Sequence, residues 1–585
     1  MSSPSDPPVE AGKPELRAAL FALRGGLWRA LAFSLVASLL ALAPSWYMLE
    51  VYDRVVYSRS GMTLLMLTLA VLLAYGLIQV QEWTRNTLLH AAATAFEQQL
   101  GARVFGAAIG ASRLDIPEGG AQSQQDLRTL REFLRSPALI AAFELPMMLV
   151  YLVLLYAISP WLLAVTLAAA VLQSLIGWCN GRATGPALRE ANRHGLSAQT
   201  YADRLLQNAQ AVEAMGMLGA VRRRWSDTQH KAIKLQARAS LAGGSWQAAA
   251  KLLQNLIGSA LLGLACWLLL KEQLNGGGAM LVVAGIFGGR ALAPFVQIVT
   301  HWRGVVMAQE AWRRLGRVLK SQPPAARSMP LPPPKGALVV NHVHATAPDQ
   351  AALLLRDIHF ALQPGEVLAV IGPSGAGKTS LGRVLLGLWQ TSAGKVRLDG
   401  VDIHQWSKDE LGPQLGYLPQ GVSLIDGSLA DNIARFSVPD PDRLQAAIEA
   451  AGLHELVVSL PDGLDTPLGP GGARLSGGQR QRIGLARAIY GQPAFVVLDE
   501  PNSSLDEAGD QALTQLIDSR RRRGTTFVVM THRTSILSVA DKILLLVDGQ
   551  QQAFGPRDEV LAAIRQANEQ HSRQANEQHS RQATA

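Results

Sequence analysis

A glycine-rich segment in the second half of the chain has the residue types that bind phosphate groups. It follows the buried-strand pattern Val367–Ile371, precedes a helix-like run that starts at Ser380, and reads Gly372-Pro373-Ser374-Gly375-Ala376-Gly377-Lys378-Thr379. Glycines let backbone N–H groups turn toward phosphate oxygens, and the positive end of the following helix points to the same place. Lys378 is suited to reach the β- and γ-phosphates, and the Thr379 hydroxyl is suited to bind Mg²⁺. Because a strand precedes the segment and a helix follows it, a chance glycine-rich turn is disfavoured, and we predict that residues 372–380 bind a nucleotide.

Two carboxylates stand at the end of a second hydrophobic strand. The apolar run 495–498 is followed directly by Asp499 and Glu500. Opposite a phosphate loop, a carboxylate at a strand end is suited to a second Mg²⁺ contact, and we predict this role for Asp499. Glu500 is suited to act as the general base that polarises the attacking water. An isolated Asp-Glu pair is usually a solvated strand end, so this prediction depends on the phosphate loop that precedes it.

The composition indicates a membrane part joined to a soluble part. Of 585 residues, 48% are apolar and only 17% are charged, below the roughly 25% of soluble globular chains. The net charge of +9 (54 − 45) suits either nucleic acid binding or the arginine-rich cytoplasmic loops of a membrane protein. Aromatic residues make up only 6%, which disfavours a base-stacking surface, and we expect no nucleic acid partner. Two cysteines, Cys179 and Cys266, exclude a disulfide framework and a Cys-based zinc site.

Six apolar stretches lie in the first 300 residues, and each is close to the ~20 residues that a membrane-crossing helix needs. They cover residues 27–49, 62–81, 136–158, 161–178, 246–270 and 279–299. The long loops 86–135 and 181–245 read as helical and carry many arginines, whereas only Ser159-Pro160 separates spans three and four. The positive-inside rule therefore predicts that the long loops and both termini lie in the cytoplasm.

Glu144, Lys251 and Arg290 are ionisable residues inside predicted spans, where a charge is costly and indicates a function. Lys251 lies near the end of its span, where its side chain can extend to the membrane interface, and this is the simpler interpretation. Arg290 lies near mid-span among glycines and prolines, and we predict that it faces an aqueous cavity. The alternative is a pair with Glu144 that only locks two spans together. We also expect the helix to bend near Gly288 or Pro294.

The sequence pattern changes after a proline-rich linker. Residues 330–334 read Pro-Leu-Pro-Pro-Pro, which predicts an extended spacer. Short β-rich runs then alternate with amphipathic helices, which predicts an α/β domain with a largely parallel sheet. A polar octapeptide that begins at Arg565 is repeated, as is typical of a solvated tail. The predicted parts are an N-terminal segment (1–25), a membrane domain (26–320), the linker (321–335), a nucleotide-binding domain (336–564) and the tail (565–585).

A short motif between the phosphate loop and Asp499 carries a family resemblance. It reads Leu475-Ser476-Gly477-Gly478-Gln479, and the whole constellation resembles the nucleotide-binding domain of the ATP-binding cassette (ABC) transporters. In that family the motif, called the signature, starts a helix and binds the γ-phosphate of the ATP held by the other domain of a head-to-tail dimer. The resemblance therefore implies that Ser476, Gly477, Gly478 and Gln479 bind nucleotide across a homodimer.

Three further residues match family motifs in the expected order. Gln420 matches the Q-loop glutamine that contacts Mg²⁺, and Asp506 belongs to a segment that matches the D-loop. His532 matches the switch histidine that contacts the γ-phosphate. The implied ligands are ATP and Mg²⁺, and the implied activity is ATP hydrolysis.

Six spans with long cytoplasmic extensions and one C-terminal nucleotide domain resemble the exporter branch of the family. The implied fold is an all-α six-helix transmembrane domain joined to an α/β P-loop domain. A closer resemblance to the type I protein-secretion exporters is carried by residues 47–55, 396–400, 485–491 and 499–502. Only residues 1–25 precede the first span, so we expect no peptidase domain of the kind found in bacteriocin exporters.

This closer resemblance implies ATP-driven export of an unfolded polypeptide across the bacterial inner membrane. The implied partners are a second copy of the chain, a periplasmic adaptor, an outer-membrane channel and the secreted polypeptide, besides membrane lipid. An exporter of lipid or small amphiphilic molecules with the same architecture stays open as an alternative. A P-loop ATPase that is not a transporter is disfavoured by the six spans.

Two positions depart from the family pattern. Ala347 precedes Pro348 where many members place an aromatic ring that stacks on adenine, which predicts loose recognition of the base. Pro470 stands where many exporters carry a glutamate before the signature, which puts coupling through that carboxylate in doubt.

Overall fold

The computed structural model describes residues 15–113, 120–274, 280–323, 331–347, 352–469, 472 and 475–566. The chain divides into two compact units, Met1–Pro324 and Ala325–Ala585. Pro348, Pro470, Ala279, residues 324–330 of the predicted linker and the tail after residue 566 lie outside the described residues. The finer domain boundaries stay a prediction.

The described secondary structure of the first unit is helical. Its elements are α1 (Glu15–Ala22), α2 (Arg24–Leu40), α3 (Ala43–Glu50), a π-helical turn (Val51–Val55), α4 (Val56–Ser58), α5 (Gly61–Arg113), α6 (Ala121–Leu134), α7 (Pro137–Ile158), α8 (Pro160–Gln207), α9 (Ala209–Ala214), α10 (Leu218–Leu270), α11 (Met280–Thr300) and α12 (Trp302–Ser321).

Six helical segments among the described residues are long and apolar enough to cross a membrane, which confirms the six predicted spans. They are Arg24–Ser58, Gly61–Ser112, Ala121–Ile158, Pro160–Gln207, Leu218–Leu270 and Met280–Thr300. Helices α5, α8 and α10 contain 53, 48 and 53 residues. At about 1.5 Å per residue, each is more than twice as long as the hydrocarbon core of about 30 Å. These helices therefore continue beyond the membrane into the long loops.

Prolines determine where several of these helices begin and end. Ser136 caps α7 by accepting a hydrogen bond from the Leu139 N–H at 3.4 Å, and α8 begins at Pro160. Span one, predicted as one continuous stretch, is divided between α2 and α3. Pro44 has no N–H to donate to the carbonyl of Leu40, and α2 ends at Leu40.

Helices α10 and α11 approach each other closely. A Cβ atom at Gly288 would lie only 2.0 Å from Leu261 Cδ1, so a larger residue at this position would displace that side chain. Gln254 Nε2 on α10 donates to the Gly289 carbonyl oxygen at 3.0 Å, near Pro294 in α11. This hydrogen bond joins α10 to α11 in the apolar part of the membrane unit. Helix α11 is assigned as one helix, and its bend stays a prediction.

The second unit combines strands and helices. Its strands are β1 (Leu338–Thr346), β2 (Leu353–Leu362), β3 (Val367–Ile371), β4 (Ala393–Leu398), β5 (Val401–Asp402), β6 (Leu415–Leu418), β7 (Phe495–Asp499), β8 (Thr526–Met530), β9 (Lys542–Val547) and β10 (Gln550–Pro556). Its α-helices are α13 (Lys378–Leu385), α14 (Lys408–Leu411), α15 (Leu429–Ile433), α16 (Pro441–Ala450), α17 (His454–Ser459), α18 (Gly477–Ile489), α19 (Glu507–Arg521), α20 (Thr534–Leu537) and a helix over residues 557–566.

In the described part of this unit, ten strands form one sheet in the order β5-β4-β1-β2-β10-β9-β3-β8-β7-β6. Strands β9, β3, β8, β7 and β6 pair in parallel, as predicted for an α/β domain. The sheet as a whole is mixed, because β1/β2, β4/β5 and β9/β10 are antiparallel. Their short connections cannot hold the crossover that a parallel pair needs. The central position of β3 places the loop after it at the carboxyl edge of the parallel part.

Candidate functional site

The phosphate loop connects the buried strand β3 to helix α13. Gly372 and Gly377 have positive φ angles of 153° and 96°, which side chains with a Cβ atom rarely adopt. A Cβ atom at Gly372 would also lie 2.0 Å from the carbonyl oxygen of Leu546. Both glycines are therefore required by the path of the backbone, and the loop ends at the first residue of α13, Lys378.

The Lys378 side chain folds back onto the phosphate loop and binds its backbone carbonyl groups. Its Nζ donates to the carbonyl oxygens of Gly372 and Pro373 at 2.8 and 2.9 Å, and the residue is only 6% exposed. Burial lowers the pKa of Lys378, while the nearby carboxylates of Glu500 and Asp499 act in the opposite direction. The ammonium group thus lies among the backbone carbonyls of the loop, close to the strand end that carries both acids.

Asp499 is buried at the end of β7, 3% exposed, and accepts a hydrogen bond from the Thr379 side chain. Burial raises its pKa above the ordinary value of an aspartate, and this effect exceeds the opposing hydrogen bond from Thr379. A hydroxyl and a carboxylate in contact provide the oxygen ligands that Mg²⁺ prefers. The residues present therefore fit a magnesium ion.

Glu500 lies beside Gln420 and His532, the other two residues predicted to be catalytic. Gln420 Nε2 donates to Glu500 Oε2 at 3.0 Å, and His532 Nε2 lies 3.4 Å from Glu500 Oε1. Glu500 has a left-handed backbone (φ 51°), and its N–H donates to the Met530 carbonyl oxygen at 3.0 Å. The parallel pairing of β6, β7 and β8 brings these residues to one edge, because each of the three follows the end of one of these strands.

The signature residues line a cavity at the start of α18. Ser476 is the N-cap of α18: its hydroxyl accepts from the Gln479 N–H at 3.2 Å, and the Gln479 side chain accepts from the Ser476 N–H at 2.9 Å. A cavity of about 540 Å³ is lined by Ser476, Gly478 and Gln479 together with Asp506. Asp506 caps α19 through Gly509 and lies 3.4 Å from Arg482. The structure thus separates the predicted nucleotide-binding residues into a phosphate-loop set and a signature set.

Gln481 connects the signature helix to Glu500 and to Ser503 and Ser504, and the sequence analysis assigned it no role. Its Nε2 donates to the Glu500 carbonyl oxygen at 3.1 Å and to Ser503 Oγ at 3.3 Å, while its Oε1 accepts from the Ser504 N–H at 2.9 Å. The side chain is 5% exposed. The sequence offered one signal for this role: Gln481 is a polar residue one turn into the signature helix, at a position expected to face the core.

Arg290 lies in the membrane unit, on a cavity of about 160 Å³ whose lining includes Glu82, Arg85, Glu144 and Tyr151. Tyr151 on the same cavity lies near Arg290, and its hydroxyl donates to the Ser38 carbonyl oxygen at 3.3 Å. Glu144 pairs instead with Arg85, at 3.3 Å between Oε1 and Nη1, and Arg85 is only 7% exposed. The alternative of an Arg290–Glu144 pair is therefore wrong, because α5 supplies the partner of Glu144. Lys251 is exposed on α10.

Comparison with known proteins agrees with these features. A family model described as the ABC transporter transmembrane region matches residues 27–290, and the ABC transporter model matches residues 355–503. The type I secretion system ATP-binding protein PrsD of Rhizobium meliloti (strain 1021) is 36% identical over 91% of this chain and 91% of its own length. The chain belongs to the ABC exporters.

A lipid A-core flippase and a solved exporter structure are also similar to this exporter. The ATP-dependent lipid A-core flippase of Burkholderia pseudomallei (strain 1710b) is 31% identical over 68% of the exporter and 67% of its own length. The solved structure of a bacterial Atm1-family ABC exporter with ATP bound has a TM-score of 0.82, covers 94% of the exporter and 98% of its own chain, and is 20% identical, which shows the same fold. The predicted family and fold class are confirmed, and the exporter is a multi-pass membrane protein that binds ATP and is an ATPase.

Proposed function

We propose that this exporter moves an unfolded polypeptide across the bacterial inner membrane as the ATP-hydrolysing component of a type I secretion system. The observation that carries this proposal is the similarity to a type I secretion ATP-binding protein over 91% of both chains. The lipid A-core flippase matches only about two thirds of either chain. A periplasmic adaptor and an outer-membrane channel would be the partners of such a system. Export of lipid is the second candidate, and the 31% identity to the flippase favours it.

The contacts of Glu500 support its role as general base. In this role Glu500 accepts a proton from the attacking water, while Gln420 and His532 hold its carboxylate in position. Lys378 and the backbone N–H groups of the loop bind the phosphates of ATP. These assignments use the residues of one chain that meet at the carboxyl ends of β3, β6, β7 and β8.

A magnesium ion, when bound, would neutralise the charge that develops on the phosphate oxygens. Thr379 and Asp499 would hold it, with the side-chain oxygen of Gln420 as the third ligand. The interaction of the Thr379 side chain with Asp499, which opposes the rise in the pKa of this carboxyl group, supports the proposal.

The separation of the two sets of residues supports a homodimer with two shared sites. The cavity at the signature is lined by residues that include Ser476, Gly478, Gln479 and Asp506, and its lining contains no residue of the phosphate loop. In the proposed dimer, Ser476, Gly477, Gly478, Gln479 and Asp506 of each chain face the nucleotide on the phosphate loop of the other. The arginine content of the long loops supports cytoplasmic termini and a cytoplasmic nucleotide domain.

The polar cavity at Arg290 supports a transport path through the membrane unit. Arg290→Glu should impair export while the protein stays folded and still hydrolyses ATP, because Arg290 has no acidic partner to lose among the contacts described above. Arg85→Glu is the matched control: it breaks the buried pair with Glu144 and should lower the melting temperature, and Glu144→Arg in the same chain should restore it. If Glu144→Arg instead restored an unstable Arg290→Glu protein, Arg290 would be a structural partner, and the cavity would not be the path.

A deletion strain distinguishes polypeptide export from lipid export. Quantitative mass spectrometry of the culture medium should show one or a few proteins lost on deletion and restored by the wild-type gene but not by the empty vector. The lipid A profile of the same cells should be unchanged. An altered lipid A profile with an unchanged set of secreted proteins would contradict polypeptide export and support the second candidate.

A further inference from the structure

Three side chains that can bind a metal ion meet on the surface of the β1–β2 hairpin, and none of them belongs to the predicted nucleotide site. One ligand atom each of His342, Asp357 and His359 lies within 4.8 Å of the other two. His342 Nδ1 donates to Asp357 Oδ1 at 2.6 Å, and the imidazole rings of His342 and His359 stack with centroids 5.0 Å apart. Two imidazoles and a carboxylate are a common ligand set for zinc.

The backbone of the hairpin is irregular at this cluster. From Val340 to Val343 strand β1 advances three residues while β2 advances two, from Phe360 to Ile358, and in the next step β2 has the extra residue. These are two consecutive β-bulges, and the residues within them that have positive φ angles are His342 (43°) and Asp357 (52°). Glycine usually occupies such left-handed bulge positions. Strained non-glycine residues concentrate at functional sites, so this pair of outliers indicates a role for the two side chains.

The cluster has the charge and orientation that a cation requires. Asp357 supplies a carboxylate, an acid group that is ordinarily ionised at neutral pH, 2.6 Å from the imidazole of His342. His359 Nδ1 lies 3.3 Å from the backbone carbonyl oxygen of Asp357. Metal-binding histidines are typically oriented by such a carbonyl on one ring nitrogen, which leaves the other nitrogen for the metal. All three side chains are exposed, so an ion can reach them.

We propose that His342, Asp357 and His359 bind one divalent transition-metal ion of the zinc class, with water completing the coordination. Imidazole ligands favour zinc, copper or nickel, whereas magnesium prefers oxygen ligands alone. The site is therefore chemically distinct from the one expected for Mg²⁺ at Thr379 and Asp499. The ion would replace the proton shared by His342 and Asp357 and would fasten β1 to β2.

Calorimetric titration with ZnCl₂ tests this site. The full chain is purified without a polyhistidine tag and titrated in detergent, in the absence of nucleotide, beside the variants His342→Ala and His359→Ala. His454→Ala, which removes an exposed histidine at the start of α17, is the matched control. Loss of an outer-shell partner alone typically weakens metal binding about 10–100-fold, so loss of a ligand should weaken it at least tenfold. Zinc bound by other histidines is common to all samples and cancels in the comparison.

The expected result is one zinc ion per chain that both cluster variants lose and His454→Ala retains, with weaker binding as the pH falls to about 5.5, where imidazoles are protonated. Melting temperatures and Mg²⁺-dependent ATPase rates without zinc should be equal in all four proteins, which shows that the variants fold. Equal zinc affinity in the wild type and both cluster variants would overturn the proposal. Zinc binding that His342→Ala alone removes would overturn the three-ligand site as well.

Discussion

Replacement of Glu500 by glutamine separates catalysis from folding. The glutamine oxygen can still accept the hydrogen bond that Gln420 Nε2 donates at 3.0 Å. Its amide nitrogen faces His532, whose Nε2 lies 3.4 Å from the present carboxylate oxygen and can accept when the imidazole is neutral. Because the Glu500 side chain is already 26% exposed, we expect the free energy of unfolding to change by less than about 1 kcal/mol.

The effect on ATP hydrolysis should be far larger than the effect on stability. An amide cannot accept the proton of the attacking water, and loss of general-base catalysis typically lowers the rate about 10²–10⁴-fold. This corresponds to about 2.7–5.5 kcal/mol in the activation barrier. ATP binding should persist, because Lys378 and the phosphate loop are unchanged.

Phosphate release by the purified protein measures the rate, and the fluorescence of a labelled ATP analogue measures binding. Glu507→Gln, which neutralises an exposed acid in the first turn of α19, is the matched control and should hydrolyse ATP at the wild-type rate. A folded Glu500→Gln protein that binds ATP and hydrolyses it as fast as the wild type would refute the assignment of the base.

Three further predictions test the shared nucleotide sites, the recognition of adenine and the packing of α10 against α11. Chains with Lys378→Ala mixed with chains with Ser476→Arg should partly recover hydrolysis, because one of the two sites in a mixed dimer has neither defect; no recovery in confirmed mixed dimers would contradict shared sites. GTP should support turnover within about tenfold of ATP, a difference of about 1.4 kcal/mol, because Ala347 offers no ring for stacking; a strong preference for ATP in steady-state rates would mean that another residue recognises adenine. Gly288→Ala should lower the melting temperature through an overpacking cost of about 1–3 kcal/mol, because its Cβ would meet Leu261 at 2.0 Å. Gly289→Ala, with no atom within 4 Å of the added Cβ, should leave the melting temperature unchanged or raise it.

Local sequence patterns predicted the parts of the nucleotide site that local physics determines. The phosphate loop required Gly372 and Gly377 at fixed spacing, and the strand before it was apolar throughout. The convergence of Gln420, Glu500 and His532 was implied only by family resemblance, because the sequence does not state which strands are neighbours. The contacts of Gln481 depend on that same strand order, so its position on the signature helix indicates a buried polar side chain but not its partners.

In the membrane unit, the spans could be predicted but not the partners of the charges. Hydropathy located the six spans because each must be apolar over the whole membrane thickness. The sequence offered Arg290 as a partner for Glu144, whereas in the structure Arg85 on α5 forms the ion pair with Glu144 on α7. Arg85 lies between the predicted span 62–81 and the predicted loop 86–135, and only the three-dimensional arrangement brings it to Glu144. The two bulges of β1–β2 were equally beyond prediction, because His342 and Asp357 are not glycines.

The hydrogen bonds of Gln481 give a physical route between the two nucleotide sites of the proposed dimer. Gln481 belongs to α18, the helix that Ser476 caps, and it binds the backbone of both Glu500 and Ser504. If nucleotide at Ser476 displaced α18, the hydrogen bonds of Gln481 would pass this displacement to the peptide group of Glu500. In the proposed dimer, Ser476 would face the ATP on the partner's phosphate loop, whereas Glu500 would serve the ATP on its own. Occupation of one site would then act on the general base of the other through one buried side chain, without any contact between the two nucleotides.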